Sequence, residues 1–289
     1  MEGEIKALIE LLHDHQALVR PLFVSKHLQL VIDAVIADNS PGVLWVDDAD
    51  TLRVYRRLRR RSYQPHAALL WDKTHSLYLV GAADNASFND AAHRFVAETV
   101  ARTVDVLKIY PGSADWHPVI ETLFADRALH KLERVFYRLA SLKIPGWRER
   151  LRAGFRISSI NDQFTELSRL QNFDALREEI ESCWNALSDF QQRGFGFCAH
   201  NTETIACWCT AEYVSGAQCG IGIETVESHQ RQGFATLTAS AFAEHCLARG
   251  ITAHWDAWAH NLPSVAIAEK VGFTKVEDYT IYFATLNSP

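Results

Sequence analysis

The sequence of 289 residues lacks any long hydrophobic run. No segment approaches the roughly 18 consecutive apolar residues that a membrane-spanning helix needs. The N-terminal residues, MEGEIKALIELLHDHQ, carry acidic side chains and no cleavable apolar stretch, so they do not read as a secretion signal. These absences predict a cytoplasmic protein with no membrane partner.

Cysteine is scarce and has no recognisable spacing. Six cysteines stand at positions 183, 198, 207, 209, 219 and 246, without a CxxC pair, which predicts free thiols in a reducing compartment. Cys207 and Cys209 would share one face of a strand, where Cys198 and Cys219 could join them in a zinc site. A CxC on a strand is more often small apolar filling, so we predict no metal.

A surplus of positive charge is also missing. The formal net charge is −6, and the one basic cluster is RRLRRR at residues 56–61. A solvated helix face, or a patch that pairs with neighbouring carboxylates, explains such a run better than contact with nucleic acid. We therefore expect no nucleic-acid partner, and the mild acidity favours a small cationic one.

Several catalytic signatures are absent. The sequence contains no GxSxG elbow, P-loop or HExxH pair. Cys219 and Cys246 have no general base at motif spacing, so covalent thiol catalysis is not expected.

What the sequence does contain is an alternation of strand-like and helix-like segments in two successive halves. Hydrophobic residues make up 48%, enough for two cores. The first half predicts a helical opening to residue 37, strands at 42–48, 67–71 and 76–80, a helix at 89–102, a strand at 106–110, a helix at 115–125 and a strand at 132–139. The second half predicts a helix at 164–184, strands at 195–199, 204–210 and 219–225, a helix at 233–249, a strand at 252–258, a helix at 262–271 and a strand at 276–283. This order predicts an α/β (α+β) fold, a mixed sheet flanked by helices, made twice.

The two halves also share some sequence. Residues 42–46 (GVLWV) align with 194–198 (GFGFC), and 131–140 (KLERVFYRLA) with 275–284 (KVEDYTIYFA). Internal duplication explains this agreement, although two α/β units share periodicity even without common origin. Pro145 and Gly146 break the chain between the halves, so we predict domains at residues 1–145 and 146–289.

The most informative segment is residues 220–236, GIGIETVESHQRQGFAT. It reads as an apolar strand, a polar turn and the start of an amphipathic helix. Small residues let a ligand approach the backbone, and the first helical turn offers unpaired N–H groups and a favourable dipole to an anion. Gln230 and Arg231 add side-chain donors. The segment therefore predicts a diphosphate site, and a tight turn without a ligand is the alternative.

The Gln230-x-x-Gly233-x-Ala235 spacing resembles the acetyl-CoA loop of the GNAT N-acetyltransferase superfamily. Residues 261–273, NLPSVAIAEKVGF, resemble the next motif of that superfamily. The tract WDAW at 255–258 and the closing DYTIY at 278–282 look like a branch that includes zwittermicin-resistance-type acetyltransferases. The clear resemblance covers residues 193–283, and the first half joins it only through the repeat.

The resemblance implies acetyl-CoA as the acyl donor and a set of residues that hold it. The backbone of Thr225 and Val226 would pair with the pantetheine arm, the turn would hold the pyrophosphate, and two residues after the fifth strand would contact the cofactor. The predicted cofactor-binding residues are Thr225, Val226, Gln230, Arg231, Gln232, Gly233, Phe234, Ala235, Thr236, Asn261 and Ser264. A β-branched residue at Gly233 should block the approach of phosphate.

The corresponding turn of the first half, residues 82–91 (AADNASFNDA), has no basic residue and no loop glycine. Asp84 and Asp90 would repel phosphates. We expect this degenerate unit to bind no acetyl-CoA and to shape the acceptor pocket.

Enzymes of this superfamily let an amine attack the thioester directly, so a base and an acid are needed. Glu224 is the predicted base or ammonium ligand, with a carboxylate held by a neighbouring Arg or facing solvent as the alternative, and Glu227 is a weaker candidate. The position of the usual thiolate-protonating tyrosine matches Ala268, which has no hydroxyl. Tyr279, Tyr282, His254 or water could replace it, although tyrosines in a terminal strand are more often core residues.

Asp256 could bind a cationic acceptor or be a buried carboxylate with a structural partner. The sequence thus predicts transfer of an acetyl group to a primary amine of a small molecule, in a ternary complex. Resistance to an amino-containing antibiotic is one role that the branch implies. A non-catalytic acyl-CoA-binding or scaffold protein and a transferase for longer acyl chains are the rivals. A homodimer is compatible with the sequence, but no feature requires one.

Overall fold

The computed structural model describes residues 8–47 and 64–287, and elements are numbered in chain order within them. The basic cluster at residues 56–61 lies outside the described residues. The strands are β1 (Leu8–Glu10), β2 (Val43–Asp47), β3 (Ala67–Trp71), β4 (Ser76–Gly81), β5 (Val106–Pro111), β6 (Ala128–Leu139), β7 (Arg156–Ser159), β8 (Gly196–His200), β9 (Ile205–Ser215), β10 (Gln218–Thr225), β11 (Thr252–Trp258) and β12 (Phe273–Thr285).

The α-helices within the same residues are α1 (Lys26–Ile36), α2 (Ala86–Glu98), α3 (Trp116–Leu123), α4 (Phe164–Leu167), α5 (Phe173–Cys183), α6 (Leu187–Arg193), α7 (Phe234–Arg249) and α8 (Leu262–Val271). Short 3-10 segments occur at His13–Leu22, Val100–Arg102, Trp147–Arg150 and Glu227–His229. Every helix in the described part is too short or too polar to cross a membrane.

The chain forms two compact units. Unit 1 comprises Met1–Ile32, Pro41–Glu133 and Thr280–Pro289, and unit 2 comprises Asp33–Ser40 and Arg134–Tyr279. The boundaries of these compact units differ from the predicted domain boundary between residues 145 and 146. That boundary follows the sequence repeat and stays a prediction.

Unit 1 is a mixed sheet covered by helices. Its strands follow the order β1-β2-β3-β4-β5-β12, and β4 and β5 are parallel while the other neighbours are antiparallel. All five residues of β3 are buried, as the apolar run AALLW predicts. Phe88 of α2 and Trp116 of α3 pack on this sheet within one hydrophobic cluster.

Unit 2 repeats the design. Its strands follow the order β12-β6-β11-β10-β9-β8-β7, in which β10 and β11 are parallel and the other registered neighbours antiparallel. Its main core lies between α7 and the central strands, around Phe242, Trp255 and Phe273. The predicted mixed sheet flanked by helices is confirmed in each unit.

The two units contain the same run of strand pairings. Antiparallel, parallel and antiparallel pairings follow one another in β3-β4-β5-β12 and again in β9-β10-β11-β6. The alignment of the two sequence halves equates β6 with β12. β6, from the first half of the chain, pairs with β11, and β12, from the second half, pairs with β5. The last residues of β12 pair in unit 1, and the last residues of β6 pair in unit 2.

Some predicted elements are wrong. The opening is a short strand, a 3-10 segment and α1 rather than one helix, and the single helix at 164–184 is broken into α4 and α5. The break is at Asn172, which is left-handed (φ 68°) and donates to Thr204 Oγ1 and the Ile205 carbonyl, each at 2.9 Å. Asparagine tolerates this conformation, and its side chain here fixes the turn to β9. Strand β7 and helix α6 were not predicted.

Candidate active site

The site begins where two parallel strands diverge. β10 and β11 pair only at Gln218–Gly220 with Thr252–His254, yet β10 continues to Thr225 and β11 to Trp258. On its other side β10 stays paired with β9 as far as Thr225 and Cys207. One edge of β10 is therefore open to a ligand over residues 221–225.

Backbone directions identify which residues face this open edge. The Val226 N–H donates to the Ala206 carbonyl (3.0 Å), and the Val226 carbonyl accepts from His229 N–H (2.8 Å). Because backbone groups of successive strand residues point to opposite sides, Thr225 and Ile223 direct theirs toward the open edge. The predicted Thr225 thus lies where an extended arm could pair, whereas the backbone of Val226 is already engaged. Sequence reasoning missed Ile223, which strand alternation could have supplied.

The turn after β10 is shaped by two left-handed residues, Arg231 (φ 59°) and Gly233 (φ 87°). Gly233 is the N-cap of α7, and no side chain caps the helix there. The first N–H groups of α7 have no partner within the helix, and the helix dipole adds partial positive charge. Left-handed residues in a turn make a concave row of N–H groups that suits an anion. A Cβ on Gly233 would meet no protein atom within 4 Å, so the turn is open on that side.

The turn and the open edge line one cavity of about 770 Å³. It brings together most of the predicted site residues and several that were not predicted. The predicted ones are Glu224, Thr225, Gln230, Arg231, Gly233, Phe234, Ala235, Thr236, Asn261 and Ser264. The others are Ile223, His229, Trp255, Pro263 and Ile267. A volume of this size suits a small-molecule ligand.

The wall facing the turn is the start of α8. Asn261 is its N-cap, and its side chain accepts from Ser264 N–H (3.2 Å). Ser264 Oγ accepts from the indole N–H of the buried Trp255 (3.0 Å). Asn-Leu-Pro-Ser is a typical helix start, since Asn accepts the cap bond and Pro suits the first turn. These bonds hold both predicted residues at the cavity.

Two polar residues of the turn differ in placement. Gln232 does not line the cavity; its side chain accepts from Arg152 and donates to the Ser228 carbonyl (3.1 Å). His229 does line it, with its Nδ1 within 3.0 Å of Ser228 Oγ. Its place beside Gln230 in a polar turn was the signal that could have marked it.

Glu224 lies at the rim of the cavity with an exposed side chain. It projects to the face of β10 opposite Ile223 and Thr225, as alternation predicts. Glu227 lies in the 3-10 segment after β10, is exposed, and does not line the cavity.

Asp256 and Tyr279 belong to a side-chain network in unit 2. The Tyr279 hydroxyl donates to Asp256 Oδ2, and Arg134 Nε donates to Asp256 Oδ1 (2.9 Å). The Arg134 guanidinium also lies over the Trp258 ring, 4.4 Å from its centre. Neither predicted residue lines the cavity; Asp256 is the ion-pair partner of Arg134, and Tyr279 is hydrogen-bonded to Asp256.

The remaining candidates for the acid lie elsewhere. Tyr282 belongs to unit 1, where its hydroxyl donates to Glu121 (2.7 Å) and lies 3.0 Å from His117 Nδ1. His254 is buried and stacks on Phe136. Ala268 is fully buried in the core of unit 2.

The cysteines serve as buried filling in the described residues, five of the six being fully enclosed. Burial raises the pKa of Cys207 to about 11 and that of Cys198 to about 12. Within the described residues, no three His, Cys, Asp or Glu side chains are grouped as metal ligands.

The corresponding turn in unit 1 is capped by its own side chain. Asn85 is the N-cap of α2, accepts from Phe88 N–H (3.2 Å) and donates to Asp47 Oδ2 (3.3 Å). Asp84 and Asp90 are exposed beside it. The first turn of α2 therefore lacks the open, cation-bearing character of the turn before α7.

The parallel strands β10 and β11 thus diverge beside the open start of α7. A family model for GNAT acetyltransferases matches residues 20–282, and the chain belongs to this family. It is an acyltransferase, as the sequence motifs predicted.

Relatives agree with this assignment along nearly the whole chain. An uncharacterised N-acetyltransferase, YdfB of Bacillus subtilis (strain 168), is 23% identical over 282 residues, which cover 97% of this chain and 100% of that protein. A GCN5-related N-acetyltransferase-like protein from Streptococcus suis 89/1591 has a similar structure (TM-score 0.67, 19% identity, covering 94% of this chain and 98% of that one). A tandem GNAT protein from the clavulanic acid biosynthesis pathway is similar in fold as well (TM-score 0.59, 12% identity, covering 98% and 99%).

Proposed function

We propose that the protein transfers an acetyl group from acetyl-CoA to a primary amine of a small molecule, by direct attack in a ternary complex. The observation that carries this proposal is the open edge of β10, which leads into the uncapped helix start at Gly233. One end of the cavity suits a diphosphate, and the edge suits an extended amide-containing arm.

In this proposal the pantetheine arm pairs with the backbone of Ile223 and Thr225 as an added strand. The pyrophosphate accepts from the N–H groups at the start of α7. Arg231 supplies a charge-assisted bond, and Gln230 a neutral donor. Asn261 and Ser264 contact the cofactor from the opposite wall. Val226 and Gln232 stabilise the turn through hydrogen bonds within the protein. In this proposal the backbone of Val226 does not pair with the arm, contrary to the prediction.

The chemistry needs a neutral amine and a place for the leaving thiolate to gain a proton. Glu224, at the cavity rim, is proposed to hold the acceptor ammonium close to the thioester. Tyr279 stays a proposal as the acid that protonates the thiolate, but its hydroxyl already donates a hydrogen bond to Asp256. Asp256 stays a proposal as the acceptor ligand, although Arg134 already neutralises it. Water is the simplest proton donor to the thiolate.

One observation favours a non-catalytic acyl-CoA-binding role instead. Alanine stands at the position where the family places its tyrosine, and the residues lining this cavity include no tyrosine. Release of CoA that depends on an added amine separates the two functions. A panel of acyl-CoA chain lengths separates acetyl transfer from transfer of longer chains.

The first test is calorimetric titration of the purified protein with acetyl-CoA. We expect micromolar binding by the native protein and at least about a tenfold loss in Gly233→Val, because a branched side chain would occupy the phosphate position. Gly250→Val is the matched control: Gly250 is left-handed (φ 67°), lies at the other end of α7, and also has open space around it. Both variants carry similar backbone strain, so only the loss at Gly233 reports on the ligand.

Absence of binding by the native protein would contradict the proposal. Equal loss in both variants would show that strain, not phosphate contact, causes the effect. With binding established, primary amines are screened for acceptor-dependent release of the CoA thiol.

A further inference from the structure

A second carboxylate lies against β10, on the same face as Glu224. In the register of β9 with β10, Glu212 is opposite Gly220 and Thr210 is opposite Gly222. A Cβ added to Gly222 would overlap Glu212 Oε1. The carboxylate of Glu212 thus occupies the place that a side chain at position 222 would take.

The backbone conformation of β9 directs the Glu212 side chain toward Gly222. The register between β9 and β10 shifts between Gln218 and Gly220, and the residue after Glu212, Tyr213, is left-handed (φ 48°). An extra residue on one strand of an antiparallel pair redirects neighbouring side chains, and such bulges are common beside active sites.

A buried hydroxyl points at the same spot. Thr210 is 2% exposed, and its Oγ1 has no hydrogen-bond partner among the described residues. Oγ1 lies 3.1 Å from the position of a Cβ on Gly222. A buried polar group without a partner costs free energy, so a polar group of a bound acceptor that hydrogen-bonded to this hydroxyl would be favoured at Gly222.

In the proposed complex, the reacting end of the cofactor lies near Gly222, which is next to the cavity-lining Ile223. β10 runs from Gln218 toward the turn that holds the pyrophosphate. The thioester must therefore lie back along the strand, toward Ile223 and Gly222. Residues two apart on a strand are about 7 Å apart, so the carboxylate over Gly222 lies one such step from Glu224.

We propose that Glu212 is the catalytic base that takes the proton of the acceptor ammonium. This inference rests on the proposed function and adds a residue to it. One ammonium proton passes to the Glu212 carboxylate, and the freed electron pair of nitrogen forms the C–N bond with the thioester carbonyl carbon. The C–S bond breaks with its electron pair on sulfur. The second surplus proton of nitrogen ends on sulfur, and Glu212 returns the first to solvent.

The surroundings of Glu212 suit a base that works near neutral pH. Burial first, and then the Glu179 carboxylate of α5, raise the pKa of Glu212 to about 8. Asp256 of β11 acts in the same direction, while a hydrogen bond from the Cys183 thiol of α5 acts against it. Bound positive charge from an ammonium would favour the ionised carboxylate.

The test compares the pH dependence of CoA release in native protein, Glu212→Gln, Glu179→Gln and Gly222→Ala, with the best amine from the screen. We expect Glu212→Gln to lose at least about 100-fold in kcat, while calorimetric affinity for acetyl-CoA is unchanged. In Glu179→Gln, loss of a neighbouring carboxylate moves the pH midpoint of kcat/KM lower. Gly222→Ala keeps the carboxylate but displaces it, so kcat falls although the thermal midpoint shows a folded protein.

Glu203→Gln is the control, since Glu203 is an exposed carboxylate in the turn before β9, and its profile should match the native one. A Glu212→Gln protein with native kcat and native pH profile would overturn the assignment. If instead the native protein binds acetyl-CoA and no amine releases CoA, the proposed function fails, and this assignment fails with it.

Discussion

At the residue scale, the proposed anion-binding turn depends on two backbone conformations. Gly233 adopts its left-handed φ without steric cost, whereas Arg231 (φ 59°) does so at a cost of about 1–2 kcal/mol. Such a cost persists where the surrounding structure requires it, and it is common at ligand sites. Arg231 lines the same cavity, so the proposal has its backbone and its charge act on one anion.

His200 offers a test of stability at the same scale. His200 is 1% exposed. Its Nδ1 lies 2.9 Å from the Asn201 carbonyl, and its Nε2 lies 2.9 Å from Ser158 Oγ. Nε2 also accepts a hydrogen bond from Arg156 Nε, as a neutral ring can. Burial lowers the pKa of His200 from its ordinary 6.5. The unfolded chain therefore binds a proton at a higher pH than the folded one does.

Because the folded pKa is depressed, the stabilising contribution of neutral His200 is full above pH 6.5 and is lost as the pH falls below it. We expect the free energy of unfolding in urea to drop between pH 7.5 and 5.5, and His200→Gln to drop less. His260→Gln, at an exposed histidine, should keep the native drop. A drop of equal size in His200→Gln would contradict this account.

Many of the residues that line the cavity were predicted from the sequence, and others were missed for a physical reason. The helix start at Gly233 and the cap at Asn261 are local patterns, so their residues could be predicted. The placement of Glu212 over Gly222, on which its proposed role depends, could not be predicted, because it depends on the register of two strands and on a bulge. The backbone of Val226 is paired and that of Ile223 faces the open edge. This difference depends on which strand lies on each side of β10, so it could not be predicted either.

At the element scale, β12 is the strand that completes unit 1. Its last residues pair with β5, from Tyr282 with Ile109 to Thr285 with Val106. Ile281, Tyr282 and Ala284 are each no more than 1% exposed. Burial of such side chains contributes about 1.5–3 kcal/mol for a large one.

A chain that ends at Tyr279 should therefore lose the packing of unit 1. We expect amide hydrogen exchange of β5 to become fast, while β8 and β9 of unit 2 keep their protection, since their pairing partners remain. A chain that ends at Asn287 is the matched control. Native protection of β5 in the shorter chain would show that β12 contributes little to unit 1.

Element types were predicted well where periodicity was strong, as for β3, β11 and α8. The placement of β12 was not predictable, because a repeat identifies equivalent strands but not the unit in which each one pairs. The break at Asn172 was missed because the helical periodicity continues across it.

At the scale of the whole molecule, the same run of strands occurs twice but only one copy has an open turn. The turn before α7 presents Gly233 and Arg231 to a cavity. The turn before α2 is closed by the Asn85 cap and flanked by exposed Asp84 and Asp90. We propose that unit 2 alone binds acetyl-CoA, and that the duplication left unit 1 without a phosphate site.

Amide hydrogen exchange with and without acetyl-CoA tests this claim most directly, because it reports on both turns in one sample. We predict slower exchange at residues 223, 225 and 233–236, where the arm and the pyrophosphate would accept hydrogen bonds, and unchanged exchange at residues 85–91. Slower exchange at residues 85–91, or unchanged exchange along the open edge of β10 under saturating acetyl-CoA, would contradict it.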